Sequence, residues 1–351
     1  MFDFIKIAFI FLFILFLLRK KINVGYALLV GSLFFLILYP INYLKLPSIL
    51  LNSFISHTFL NLFLSLTLIK SFEYLLRQVG LMQKMTEASQ TVLINKKLSV
   101  ISMPLIIGML PSLGGAYLSA PMVESATKDT TISREEKAFI NYWYRHPWEL
   151  VLPLYPGIVL ASAVSGISLR DLILLNLPVA IIFFIVGFFL SMKKFKKEES
   201  KFLKQNIFRS FYSFIPIVLI ILPVVVFMID LSIALFVNIL FLSLFFRIGI
   251  KKTFEIIKYG FTKDTIVLVF GVIIFKELLQ FSGAVEGVAK AITDLRIPYI
   301  LAFIFLPFLI GLITGISVGF VGSTFPLLLH LKSTVSFEIS LAFVSGYVGV
   351  L

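Results

Sequence analysis

Runs of Ile, Leu, Val and Phe alternate with short polar segments along the whole chain, and the lengths of the runs limit what they can form. A helix needs about 20 predominantly apolar residues to cross the hydrocarbon core of a bilayer, and about 17 suffice. On that ruler the pattern predicts spans over 4–18, 23–40, 54–76, 148–168, 172–190, 211–229, 231–246 and 264–280, with a ninth beginning near Phe337. Two further apolar stretches, 98–122 and 298–329, are punctuated by Gly, Pro and Ser and do not read as plain spanning helices. Residues 282–296, SGAVEGVAKAITDLR, mix charge with apolar positions and predict a surface helix lying along an interface.

Composition narrows the class. Of 351 residues, 59% are apolar, 14% charged and 39 are Phe, whereas soluble domains run about 45–50% apolar and about 25% charged. The chain therefore reads as an all-α, polytopic protein of the cell (inner) membrane, which excludes a cytosolic enzyme, a secreted disulfide scaffold and a disordered hub. Without cysteine it has no disulfides, thiolate metal sites or Cys nucleophiles. Arg19, Lys20 and Lys21 follow the first run with no small-residue cleavage site, so that run reads as a retained span rather than a signal peptide.

The 31 Lys and Arg against 18 acids give +13, yet most of the bases sit between apolar runs. Such placement reports topology rather than a nucleic-acid partner. With the N-terminus outside, the inside segments 19–21, 77–97, 128–145, 193–209 and 247–263 hold 23 bases. The outside segments hold 7, with Lys70 in a span left aside. The bias survives only if both Gly-rich stretches enter and leave on one side, so it predicts two re-entrant hairpins. The long polar segment from Phe195 to Arg209, with the two lysines before it, reads as a solvated positive-inside loop, with contact to anionic lipid as the functional alternative.

A shift of 203 residues pairs Leu75 with Leu278, Leu76 with Leu279, Gly80 with Gly283, Pro104 with Pro307 and Gly108 with Gly311, without a gap. The charge-derived topology sends 54–76 inward and 264–280 outward, so the expected repeats are inverted. The predicted organisation is N-terminal spans over 1–47, a first repeat over 48–192, a basic cytoplasmic linker over 193–210 and a second repeat over 211–351. The first repeat holds a hairpin over 98–126 and a broken helix over 148–168; the second holds a hairpin over 298–330. Counterparts of Pro153 to Gly157 would fall at 356–360, beyond Leu351. By its own symmetry the chain is thus expected to lack one or two last membrane segments, the alternative being an asymmetric protein with a short final helix.

The chemistry is expected at the interruptions. In the first hairpin Pro104, Pro111 and Pro121 remove backbone donors, while Gly114 and Gly115 permit a turn at membrane depth. Ser112, Ser119 and the tip amides would then face a cavity, and half-helix N-termini suit a carboxylate or phosphate. Thr314, Gly315, Ser317, Gly319, Gly322, Ser323, Thr324 and Pro326 repeat this chemistry in the second hairpin. Carbonyls and hydroxyls near Gly114, Gly115, Gly322 and Ser323 could hold Na+, and the tips carry no carboxylate, which favours an anionic solute. In both hairpins the bland alternative is that Gly and Ser only let helices pack closely.

Between the hairpins, NYWYRHPWELVLPLYPG (141–157) sets Asn141, Arg145, His146 and Glu149 beside Trp143 and Trp148, ahead of Pro153, Tyr155 and Pro156. Ionisable groups there mark an ion or solute path, or else an interfacial anchor belt. Arg145 and Glu149 are spaced to pair on one turn unless Pro147 breaks it. His146 could carry a coupling proton. No phosphate-binding GxxxxGK[ST] loop and no HExxH pair occurs, so ATP-driven pumping and zinc proteolysis find no support.

At PSLGGAYLSAPMVE and NYWYRHPWELVLPLYPG the sequence resembles a prokaryotic integral-membrane family, domain-of-unknown-function family 401, over nearly the whole chain. That family looks related to the ion transporter superfamily, which includes gluconate, citrate, dicarboxylate and arsenite permeases. The resemblance implies an inverted-repeat fold with two hairpins and two broken helices. It implies ion-coupled transport in elevator fashion, no cofactor beyond Na+ or H+ as coupling ion, and a homodimer. It carries Ser112 through Pro121 to the first tip, Pro153 through Gly157 to the first broken helix, and Thr314 through Pro326 to the second tip. Two departures stand out: GGAYLS and GSTFP replace the Ser-Asn-Thr tips of the dicarboxylate branch, and no Ser-Pro-x-His segment follows SGYVGVL. The expected function is a secondary transporter of a small anionic solute; the rival is an intramembrane enzyme or lipid-handling protein acting on a phosphate- or lipid-linked substrate, with Arg145, His146 and Glu149 as its reactive groups.

Overall fold

The computed structural model describes residues 2–91, 96–110, 115–128, 130–191, 212–294, 296, 298–331 and 336–351. The basic linker expected over 193–210 lies outside them. Among the described residues the chain is all helical, without a strand. In order the helices are α1 (Phe2–Arg19), α2 (Val24–Leu38), α3 (Leu46–Ile55), α4 (His57–Gln78), α5 (Leu81–Thr91), α6 (Lys96–Gly108), α7 (Gly115–Ala126), α8 (Arg134–Trp143), α9 (Pro156–Ser165) and α10 (Leu169–Ser191). They continue as α11 (Ile215–Val226), α12 (Leu231–Phe245), α13 (Ile250–Tyr259), α14 (Lys263–Phe281), α15 (Ala284–Asp294), α16 (Tyr299–Thr314), α17 (Ser317–Leu331) and α18 (Ser336–Val350).

Length and apolarity suit two of these to crossing a membrane, α4 and α10, while α14 with residues 284–290, bent by 65° at the intervening break, makes a third candidate. Most of the other predicted spans are helices of 10–17 residues. Polar segments expected as plain loops carry short helices instead. Residues 77–97 contain α5, 128–145 contain α8 and 247–263 contain α13. Helix α8 starts because Ser133 accepts from the Glu136 amide while the Glu136 carboxylate accepts from the Ser133 amide, a closed capping box.

The helix order recurs. The shift that carries Gly80 onto Gly283 superposes both ends of α5 on those of α15, the end of α4 on that of α14 and the start of α6 on that of α16. Helix α3 falls within one residue of α13, and α7 and α8 begin within one residue of α17 and α18. Leu75 and Leu278, and Leu76 and Leu279, are all buried, and Pro104 and Pro307 both lie inside their helices. Gly80 (φ 72°) and Gly283 (φ 68°) share the left-handed conformation. Only glycine adopts it without cost; an L side chain there loses about 1–2 kcal/mol. G80A and G283A should therefore each lower thermal stability in detergent by about that amount, and a loss at only one of them would break the equivalence.

The helices gather into two compact units, each built from separate stretches of chain. Met1–Thr67, Pro156–Leu175 and Phe261–Leu351 form the first. Within it α2 and α14 cross backbone to backbone: a Cβ on Gly25 would lie 2.3 Å from the Val267 carbonyl oxygen, and one on Gly271 would lie 2.4 Å from the Gly25 carbonyl oxygen. Phe11, Phe35 and Phe275 pack beside that crossing. Helix α17 is the buried core of this unit from Gly319 to Leu328, and α16 and α18 lie along one another through Gly311, Gly346 and Gly349.

The second unit comprises Leu68–Tyr155 and Asn176–Gly260. Its core joins Val100, Ile101, Val123, Ile132, Ile140 and Tyr144. The Trp143 indole donates to the Phe183 carbonyl at 2.8 Å and stacks on the Phe183 ring. A Cβ on Gly187 would meet that indole at 2.3 Å, so the glycine makes room for it. Tyr74 and Tyr259 stack at 4.1 Å, and the Asn238 amide donates to the Pro216 carbonyl.

Candidate functional site

The site in the second unit begins where α8 ends. Pro147 stands four residues past the helix's last residue, Trp143, and His146–Leu150 tightens into a short 3-10 segment. Residues 151–155 are then free of helix until α9 starts at Pro156. Opposite this break α6 ends at Gly108, which leaves its last four carbonyls without helical partners. All four find donors. The Trp148 indole reaches the Leu105 carbonyl at 2.7 Å, the Met109 and Leu110 amides turn back to Ile106 and Ile107, and the Tyr155 hydroxyl donates to the Gly108 carbonyl. Close approach permits this, because a Cβ on Gly108 would sit 2.5 Å from the Arg145 carbonyl oxygen.

Arg145, His146 and Glu149 occupy the same turn. The His146 ring lies tilted by 36° against the Tyr142 ring, centroids 4.0 Å apart, and its Nδ1 meets the Tyr142 carbonyl at 2.5 Å. Its Nε2 lies 3.6 Å from Glu149 Oε1, with only 7% and 15% of the two side chains exposed. Arg145 acts electrostatically on both. Buried Ser119 on α7 donates to Asn141 Oδ1 on α8 at 2.5 Å. An open cleft of ≈ 620 Å³ runs between these two helices, lined among others by Glu124, Arg134, Glu135, Lys137, Asn141 and Tyr142. Glu124 and Lys137 pair at 2.9 Å on its wall. Hydrogen bonds from the Ser133 side chain and from its own backbone hold the Glu135 carboxyl below the usual carboxylate range.

Of the residues predicted in the first hairpin and in the run 141–157, Ser119 and Asn141 touch, and Arg145 and Tyr155 meet the end of α6 at Gly108. Ser112 and Gly114 lie outside the described residues, and Gly115 opens α7.

In the first unit Gly315 (φ 65°) closes α16, its amide donating to the Gly311 carbonyl at 2.8 Å. Thr314 bonds back to the Ile310 carbonyl. Buried Ser323 and Thr324 donate to the Gly319 and Phe320 carbonyls of their own helix. A Cβ on Gly322 would face Val272, Leu28 and Leu160, and one on Gly157 would collide with Ser317 Oγ at 2.4 Å. Glycines and small hydroxyls here let α17 pack against α9, α2 and α14. Among the described residues no three of His, Asp and Glu cluster as a metal site.

Sequence reasoning weighed Trp148 only as an interfacial anchor and gave the Leu105 and Gly108 carbonyls no role. Two aromatic donors, Trp148 and Tyr155, on either side of Pro153 in an apolar stretch were the available signal, since a break inside an apolar segment requires donors for its carbonyls.

The family described as Protein of unknown function (DUF401) matches residues 5–351, so the chain belongs to it. No curated protein matches the sequence.

Proposed function

We propose that this member of the DUF401 family is a multi-pass protein of the cell membrane with its N-terminus outside, and a secondary active transporter of a small anionic solute such as an organic acid, coupled to Na+ or H+. The observation that carries the reading is the recurrence of α3 to α8 as α13 to α18 around the matched glycines Gly80 and Gly283. Taken with the alternation of basic segments along the chain, we read it as an inverted pair, the architecture in which interrupted helices line a solute site near the midplane. Exposed residues such as Ile37, Leu44 and Leu244 call for lipid as their solvent. A half-helix ending in an apolar stretch, as α6 does, is tolerated at membrane depth when its backbone is satisfied, and here it is. We assign solute contacts to Ser112, Gly114, Gly115 and Ser119, to Asn141, Arg145, His146, Pro153 and Tyr155, and to Thr314, Ser317, Ser323 and Thr324. The working assembly is a homodimer, kin to the ion transporter superfamily.

The test is uptake by liposomes containing the purified chain, with labelled gluconate, citrate and phosphate offered under a Na+ or a pH gradient. Gradient-dependent accumulation of one of them is the expected outcome. If no organic or inorganic anion moves under either gradient, and none raises the unfolding temperature, the proposal fails. The rival intramembrane enzyme draws on Arg145, His146 and Glu149 sharing one turn, and turnover of a lipid-linked phosphate without any gradient would favour it.

A further inference from the structure

We propose that α13 is an interfacial helix that docks on anionic phospholipid, an inference that rests on the multi-pass reading above. Its sequence, IKKTFEIIKY, sorts into two faces. One face is held by the protein. Ile256 is fully buried, the Ser71 hydroxyl of α4 donates to the Ile257 carbonyl at 3.0 Å, and Tyr259 stacks on Tyr74. The other face is uncovered. Ile250 and Phe254, about one turn apart, are 90% and 68% exposed. Lys251 and Lys258 lie on the same side, three and four residues from Phe254, and both are exposed.

Helix stability does not account for the lysines. Lys251 and Lys252 occupy a first turn that has no acid, and positive charge there opposes the helix dipole. An internal partner does not account for them either. The ion pairs among the described residues are Lys6–Asp3, Arg77–Glu73, Lys137–Glu124 and His146–Glu149, none of them on α13. Arg247, Lys251, Lys252 and Lys258 are all exposed, against the single acid Glu255. The repeat separates what the fold requires from what the surroundings require. Helix α3, the counterpart of α13 under the shift of 203, likewise precedes a long helix and leaves Leu51 and Ile55 exposed, yet it contains no charged residue. The position in the fold thus calls for an apolar surface and not for bases. The alternation of basic segments assigns 247–263 to the inside, where anionic lipid makes the membrane surface negative. An apolar ridge edged by bases suits that surface: acyl chains meet Ile250 and Phe254 while phosphates meet the lysines. A second copy of this face would bring like charges together, so charge complementarity selects lipid.

The cysteine-free chain accepts a single reporter cleanly. A nitroxide is attached through I250C, where its apolar side chain stands in for the isoleucine, or through I185C in the middle of α10 as the control. The full chain is placed in nanodiscs of phosphatidylcholine with or without phosphatidylglycerol. Collision of the label with oxygen, which partitions into lipid, is compared with collision with a water-soluble nickel chelate. The I185C label should favour oxygen in both lipids; if it favours the chelate in both, the multi-pass reading itself fails. The I250C label should favour oxygen when phosphatidylglycerol is present. Its oxygen-to-chelate ratio should fall severalfold without that lipid, and equally in the K251E/K252E/K258E background. These three side chains are exposed, so the unfolding temperature of that background in detergent should match that of the unmodified protein. Should the reversal cost the fold, K251Q/K252Q/K258Q gives the same reading by loss of charge alone. An I250C label with the same preference in both lipids overturns the proposal, while the I185C result leaves the multi-pass reading standing. A label shielded from both reagents shows a protein partner on this face and overturns it as well.

Discussion

G311L should leave no monodisperse folded protein, and G311A should already cost about 1–3 kcal/mol. A Cβ on Gly311 would stand 2.0 Å from the Gly346 carbonyl oxygen, and one on Gly349 would stand 2.1 Å from the Phe308 carbonyl oxygen. Both obstacles are backbone, so no side chain can swing away, and α16 and α18 would have to separate along their length. Helices in lipid associate through dispersion and close packing, since apolar surface gains little there by leaving lipid. Separation forfeits that contact outright. S345A is the control: it removes only the bond from Ser345 to the Ile304 carbonyl on the same interface, worth about 1 kcal/mol. Thermal unfolding and size exclusion in detergent check both. If G311L proves as stable as S345A, the two helices are not in backbone contact.

The long helices were legible because an unbroken apolar run has few other uses; α1, α10, α12 and α14 all lie within a few residues of their predicted bounds. The short helices were not, because a ruler based on span length ignores segments rich in charge. Ser133-x-x-Glu136 was nevertheless a readable start signal for α8. Glycine in an apolar run is ambiguous in a different way. Gly80, Gly283 and Gly315 turn the chain, whereas Gly25, Gly271 and Gly311 lie inside helices at crossings. Sequence alone does not separate these uses, since both rely on the same missing Cβ. The repeat did help: Gly108 and Gly311, paired by the shift of 203, both face neighbouring backbone from the last turns of α6 and α16.

Within the candidate site the residue types were readable and their partners were not. His146 and Glu149 announce themselves as ionisable groups beside a proline-interrupted apolar stretch. The acceptors that organise the turn are main-chain carbonyls of Leu105, Gly108 and Tyr142, which any residue could supply. A carbonyl has no identity in a sequence, so the donors pointed to a need without naming what met it.

That dependence on backbone acceptors gives Y155F and W148F a defined cost. Each removes the side-chain donor that caps one carbonyl at the end of α6, that of Gly108 or that of Leu105, a loss of about 1–3 kcal/mol apiece. Tyr155 is only 7% exposed, which leaves water little access to replace its hydroxyl. Because both donors hold the same half-helix, the double variant should destabilise it by more than either single change. Deviation from the sum in a double-mutant cycle measures how far the two caps act together. The structural readout is hydrogen exchange at the Met109 and Leu110 amides, which close the last turn onto Ile106 and Ile107. Exchange there should accelerate in Y155F, and more so in the double variant, while exchange within α8 stays closer to that of the unmodified protein. Unchanged protection at both amides would mean that the end of α6 holds without its aromatic caps, and the break at 151–155 would then be packed against a helix it does not support.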